Sequence, residues 1–276
     1  MKQTTRAALA LVTALLGAIA LTGLRYYQLW HCMDENGLLI PGSRVAWGFV
    51  GLAVIGIAAL VLLLVGLDRP VGTEKSLSCG LFPRLCSAAA AAGFMAACGL
   101  CSMKTQLSDL PHLIIFSAGV LCGALLVISD ALRMMGKRSN FLLLLIPSVF
   151  LAAKLVIDFK NWSVDPNVID FCFKLLASVT AMLACFNLAG FPLDLGKKRT
   201  TVFFCLLAFV FCTMTAADWL LQKNCPTQEF ILYVSLGLWC LINGCILLFG
   251  KGDKVQLPAE EITERQVIEQ EPEIRL

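Results

Sequence analysis

Eight separate apolar runs constrain this chain more than anything else in it. Each is long enough to cross about 30 Å of hydrocarbon at about 1.5 Å rise per residue. They lie at about 7–24, 45–67, 85–102, 113–134, 141–157, 168–190, 202–221 and 230–250. Lipid offers the backbone no hydrogen-bond partners, so runs of this kind are helical. The expected fold class is all-α: a polytopic transmembrane helix bundle of eight spans, filling residues 1–250. Residues 251–276 differ in kind. Asp253, Glu260, Glu261, Glu264, Glu269, Glu271 and Glu273 leave too few apolar neighbours to fold, so this is an acidic, disordered tail.

Composition separates this reading from a greasy soluble core. The chain is 58% hydrophobic and 15% charged, against roughly 45–50% and about 25% in soluble domains. The excess is gathered in blocks, as bilayer spans require. No basic, aromatic-interleaved patch points to nucleic acid.

Orientation follows from Lys and Arg. Of 22 such residues, 15 fall on one face, counted from Lys2 and Arg6 through Arg69, Lys75, Arg84, Arg133, Lys137, Arg138 and Lys197–Arg199 to the tail. The surplus lies in short loops beside helix ends, where the positive-inside rule applies. Both termini are therefore expected in the cytoplasm, N-in and C-in, with the protein multi-pass in a bacterial-type plasma membrane. Trp30, Trp47, Trp162, Trp219, Tyr26, Tyr27 and Tyr233 fall at expected outer ends, the headgroup level that amphipathic rings favour. An alternative stands for span 1: Lys2, Arg6 and a run closing on Ala18-Ile19-Ala20 also fit a cleaved secretory signal, which would leave seven spans.

The spans pair into four hairpins with outer tips. Their even spacing fits either two four-span repeats or any compact bundle with short loops. Span 3 carries Ala89, Gly93 and Ala97 on one face, a small-residue pattern that lets backbones approach. It is expected in the middle of the bundle.

The candidate site is the tip of the span 5–6 hairpin. Lys154 and Asp158 are four residues apart, as are Asp170 and Lys174, so each pair shares a helix face. Lys154 and Lys174 sit one to two turns below the outer ends, where an unpaired charge is costly. The four charges can close into a cluster across the hairpin, and Asp218 on span 7 can join it. Such a cluster either ties the tip together or lines an outward polar vestibule for a small charged or zwitterionic solute. Lys154 and Lys174 would then hold an anionic group. Asp158, Asp170 and Asp218 would hold a cation or orient the lysines. Arg25, Lys104, Asp109, His112 and Glu229 are further polar residues on that side. On the inner side Asp130 stands out, with Arg133 in pairing range. No ionisable residue falls at an expected midplane, which counts against a proton relay or an ion-coupled carrier.

Of 13 cysteines most lie inside spans and act as small apolar residues. Cys98-Gly99-Leu100-Cys101 is a C-x-x-C without the βαβ setting of a redox motif. Cys32 and Cys225 fall in outer loops and can pair if geometry allows. His31-Cys32-Met33-Asp34-Glu35 offers soft-metal ligands in one local run, too few for an expected metal site. No H-E-x-x-H, G-x-S-x-G, Walker loop or glycine-rich nucleotide fingerprint occurs. No cofactor and no enzymatic activity are expected.

The run Asp158-Phe159-Lys160-Asn161-Trp162-Ser163-Val164-Asp165-Pro166, with the later Leu188-Ala189-Gly190-Phe191, resembles a group of uncharacterised multi-span bacterial membrane proteins of unknown function. The similarity is best over spans 5 to 8 and implies no activity. Two functional expectations follow from the residues. One is binding or transport of a small polar solute at spans 5–7. The other is a scaffold or sensor subunit whose acidic tail meets a cytoplasmic protein.

Overall fold

A computed structural model describes residues 3–32, 44–66, 71–77, 79–105, 110–162, 168–221 and 227–250. These form eight α-helices: α1 (Gln3–His31), α2 (Arg44–Val65), α3 (Leu81–Lys104), α4 (Leu110–Met134), α5 (Leu142–Trp162), α6 (Val168–Ala189), α7 (Lys198–Leu221) and α8 (Thr227–Phe249). All eight are long and apolar enough to cross a membrane. The all-α bundle expected from the apolar runs is the observed fold, and the chain is an integral membrane protein. The two short strands, β1 (Val71–Gly72) and β2 (Gly196–Lys197), make a single antiparallel clip that pairs Val71 with Lys197.

Successive helices run in opposite directions. One end of the bundle therefore gathers the start of α1, the end of α8 and the β clip; this is the terminal end. The other, the hairpin end, holds the ends of α1, α3, α5 and α7 and the starts of α2, α4, α6 and α8. Helices α3 to α8 pack in a closed ring, each on its sequence neighbour, and α8 returns to α3. The α1–α2 hairpin lies outside the ring and packs mainly on α7. This arrangement is a ring with a lateral hairpin, and α1–α4 form no separate four-helix half.

Small residues set the closest approaches. A Cβ on Gly123 of α4 would sit 2.6 Å from Met95 Cβ, and one on Gly119 would sit 2.7 Å from Cys98 Sγ. Gly119 and Gly123 are four apart, so α4 lays a glycine seam against α3. On α8, a Cβ at Gly237 would lie 2.8 Å from Cys212 Cβ of α7.

The expected central position of span 3 is not observed. Only 33% of the α3 spanning window is buried, against 72% for α7. Gly93 does meet Ser235 of α8, and Ala97 is buried, but Ala89 on the same stripe is exposed. A ring helix keeps one face toward lipid. By contrast, α7 is covered by α6, α8 and α1 on three sides, and its apolar residues run all round it, as a buried helix requires.

Candidate functional site

Inside the hairpin half of the ring, charged side chains from three helices converge. The α5 helix continues past 157 to Trp162, so Lys154 and Asp158 stand one turn apart within regular helix. They form an ion pair, and each residue is only 6% exposed. Lys154 Nζ also lies 5.9 Å from the Tyr233 ring centroid on α8, within cation–π range. Tyr233 is itself buried. One turn earlier on α8, Glu229 accepts a hydrogen bond from Lys174 Nζ of α6 at 2.8 Å. That pair is more open, with side chains 14% and 32% exposed. Glu229 occupies the first turn of α8, where the helix dipole favours a carboxylate.

Of the five residues expected in this site, Lys154, Asp158 and Lys174 therefore carry ion pairs inside the bundle. Asp170 lies in the first turn of α6 and Asp218 in the last turn of α7; the side chains of both fall outside the described residues. Among the described residues no ion pair crosses the α5–α6 hairpin: Lys154 pairs with Asp158 on its own helix, and Lys174 reaches Glu229 of α8. From the sequence alone Glu229 is only a polar residue on that side and Tyr233 a headgroup-level aromatic. Their spacing of four on one helix face was the available signal. Trp47 and Trp30 are exposed.

The α1–α2 hairpin attaches beside this cluster. Arg25 is fully buried; its guanidinium lies 4.9 Å from the Phe173 ring of α6 and donates to Gln28 Oε1 at 3.2 Å. Phe49 of α2 packs on the same Phe173, with ring centroids 5.4 Å apart.

No family model, curated protein or solved structure matches the chain. The geometry alone speaks for the site.

A second polar cluster sits at the terminal end, where α3, α4 and α8 meet. Asp130 accepts from Arg84 Nη1 at 3.0 Å, Ser87 Oγ at 2.6 Å and Trp239 Nε1 at 3.2 Å. Arg84 Nη1 also reaches Asn243 Oδ1 at 3.3 Å, and Nη2 donates to the Leu77 carbonyl. Asn243 Nδ2 donates to Ser87 Oγ at 3.1 Å and to the Trp239 carbonyl at 2.9 Å. Each of these residues is at most 1% exposed. Arg84, expected in a loop, is in the first turn of α3, because that helix begins at Leu81. It supplies Asp130 with a partner 46 residues away in sequence, beyond the local Arg133 pairing expected. The network pairs one positive with one negative charge and ties α3, α4 and α8 together, so it acts as a clamp.

Among the described residues, no three His, Cys, Asp or Glu side chains come together as a metal-binding group. Met33, Asp34, Glu35 and Cys225 lie outside those residues. Cys98 and Cys101 are buried thiols on α3.

Proposed function

We propose that the protein binds a small zwitterionic or charged solute at the hairpin end of its helix ring and transports it across the plasma membrane. The terminal end then faces the cytoplasm, in line with the Lys and Arg surplus there. The chain works by binding and conformational change, without catalysis or a cofactor. One observation carries this reading: two lysine–carboxylate pairs from α5, α6 and α8 converge inside the ring, one enclosed and one open to its mouth. Ionisable groups in membrane spans are costly, face the bundle interior and mark solute paths. The more exposed Lys174–Glu229 pair receives the solute. A carboxylate on the solute displaces Glu229 from Lys174, and an ammonium group takes the released Glu229. Lys154 and Asp158 form the deeper pair, with Tyr233 covering the ammonium. Two pairs of opposite charge suit a ligand that carries both signs, because exchange leaves no charge unmatched.

The test is thermal unfolding of the purified full chain against a panel of amino acids, betaines and small carboxylates. A ligand at about 100 times its Kd adds roughly 2.7 kcal/mol to stability, so a true ligand gives a saturable rise in Tm. Lys174→Gln with Glu229→Gln should abolish that rise and leave the unliganded Tm near wild type. A flat panel, together with loss of a co-purifying protein on deletion of residues 252–276, would replace this reading with the scaffold or sensor one.

A further inference from the structure

Two loops at the terminal end carry a cluster of cations. The first, 135–140, follows α4 and holds Lys137 and Arg138; the second, 190–197, follows α6 and runs through Lys197 into Lys198 and Arg199 of α7. Arg138 pairs with Asp194 from one loop to the other, so the two form one surface. Lys137 and Lys197 are exposed, and the Arg138 side chain is 63% exposed within its pair. Across these stretches Asp194 is the one acid against five cations. Each loop is closed by its own backbone: Lys137 N–H donates to the Leu132 carbonyl at 3.0 Å, and Leu195 N–H to the Gly190 carbonyl at 3.0 Å. The cations therefore stand on a fixed frame. The α7 helix opens on Lys198 and Arg199 with no acid in its first turn, the wrong sign for the positive end of a helix dipole. Met135, Leu193 and Leu195 are exposed on the same loops. This face suits an anionic segment that carries some apolar side chains.

The chain supplies such a segment at the same end. A Cβ on Gly250, just past α8, would lie 3.1 Å from the Ser76 carbonyl oxygen. Ser76 N–H donates to the Thr73 carbonyl at 2.9 Å, and Gly72 pairs with Gly196 in the β clip. From Gly250 to Leu195 these contacts span no more than about 25 Å. Residues 251–259 can cover about 30 Å of contour, enough to bring Glu260 to the patch. From Glu260 to Leu276 the sequence holds six glutamates against two arginines, with Ile262, Val267 and Ile268 among them. Residues 251–276 lie outside the described residues; their point of exit and their charge select the partner. A tether this short gives an effective concentration of about a millimolar or more. An anionic lipid brings its charge one headgroup at a time, whereas this segment brings six carboxylates on one strand to a face spread over two loops.

We propose that residues 260–276 dock as an acidic strap on the basic face formed by the 135–140 and 190–199 stretches of the same chain. Strap and face lie on one side of the membrane whichever way the bundle is oriented, and the contact is independent of the solute site at the opposite end. A cytoplasmic partner of the tail then has to compete with the chain's own loops.

Carbodiimide cross-linking of the full chain tests it, because this reagent joins a carboxylate directly to an amine, with loss of water and no spacer. The chain is placed in phosphatidylcholine nanodiscs and its digest is read by mass spectrometry. Glutamates of 260–273 should be linked to Lys137, Lys197 or Lys198. The links should vanish at about 1 M salt, where the Debye length is about 3 Å. Glu260→Gln with Glu261→Gln and Glu264→Gln should lower the links from Glu269, Glu271 and Glu273 by about fivefold. That variant leaves every span intact and keeps the reacting groups. The links should persist in phosphatidylglycerol nanodiscs. Absence of links to those lysines overturns the proposal, as does indifference to salt or to the glutamine variant. Loss in phosphatidylglycerol gives the face to lipid instead. Links that join isotope-labelled to unlabelled chains in a mixture give it to the tail of a second copy, which also overturns the proposal.

Discussion

Asp130 shows how a charge survives in this bundle. Its carboxylate accepts three hydrogen bonds, and its counter-charge, Arg84, is spread over Asn243 and the Leu77 carbonyl. Removing one partner of such a pair strands the other, at a cost of about 3–5 kcal/mol, whereas replacing both by apolar groups is often neutral. Asp130→Ala should therefore sharply lower thermal stability and yield, and Arg84→Met with Asp130→Leu should recover most of the loss. If the double variant is no better than the single one, the pair is not the clamp described here. A similar comparison separates binding from support at the hairpin end. Lys154→Ala should destabilise the protein, because Asp158 is left buried beside it. Lys174→Gln, in a pair with a 32% exposed partner, should cost under about 1 kcal/mol and act on ligand response. Lys154, Asp158 and Lys174 are legible in the sequence, because charges inside an apolar run stand out, and the spacing of four gives the Lys154–Asp158 contact; the spacing of Lys174 from Asp170 does not give Lys174 its partner on α8. Arg84 was not, because its role depends on where α3 begins, and Glu229 was not, because its partner is 55 residues away.

At the scale of elements, glycine decides which helices touch. Gly123 meets the Met95 backbone, with its notional Cβ 2.7 Å from Met95 Cα. A larger side chain there has to push α3 and α4 apart. Gly123→Val should cost at least about 1–3 kcal/mol, the usual range for overpacking, read as a lower Tm in detergent. Gly17 on α1 has nothing within 4 Å of a notional Cβ, so Gly17→Leu should leave Tm near wild type. Equal sensitivity at both positions would contradict the packing described. The pattern Gly119-x-x-x-Gly123 was in the sequence, yet the alanine-rich face of α3 drew the central assignment. Small residues mark where one helix face can come close. They do not say how many faces are covered, and α7 is central because neighbours surround it.

Over the whole molecule, the number and type of spans were legible because bilayer thickness sets the length of an apolar run. Ring closure was not, since it rests on contacts between α3 and α8 such as Arg84 with Asn243, 159 residues apart. No local pattern encodes a contact of that kind. The closed ring places the two polar clusters at opposite ends: a sealed clamp near the termini and a graded pair of ion pairs near the hairpin tips. For a solute to enter at the hairpin end and leave at the other, those ends must face opposite compartments. An epitope inserted at 163–167 and another at 197–199, probed in intact and permeabilised cells, tests this most directly. The tag at 163–167 should be reached from outside intact cells, and the tag at 197–199 only after permeabilisation. The reverse pattern would put the lysine–carboxylate pairs on the cytoplasmic side and contradict the account.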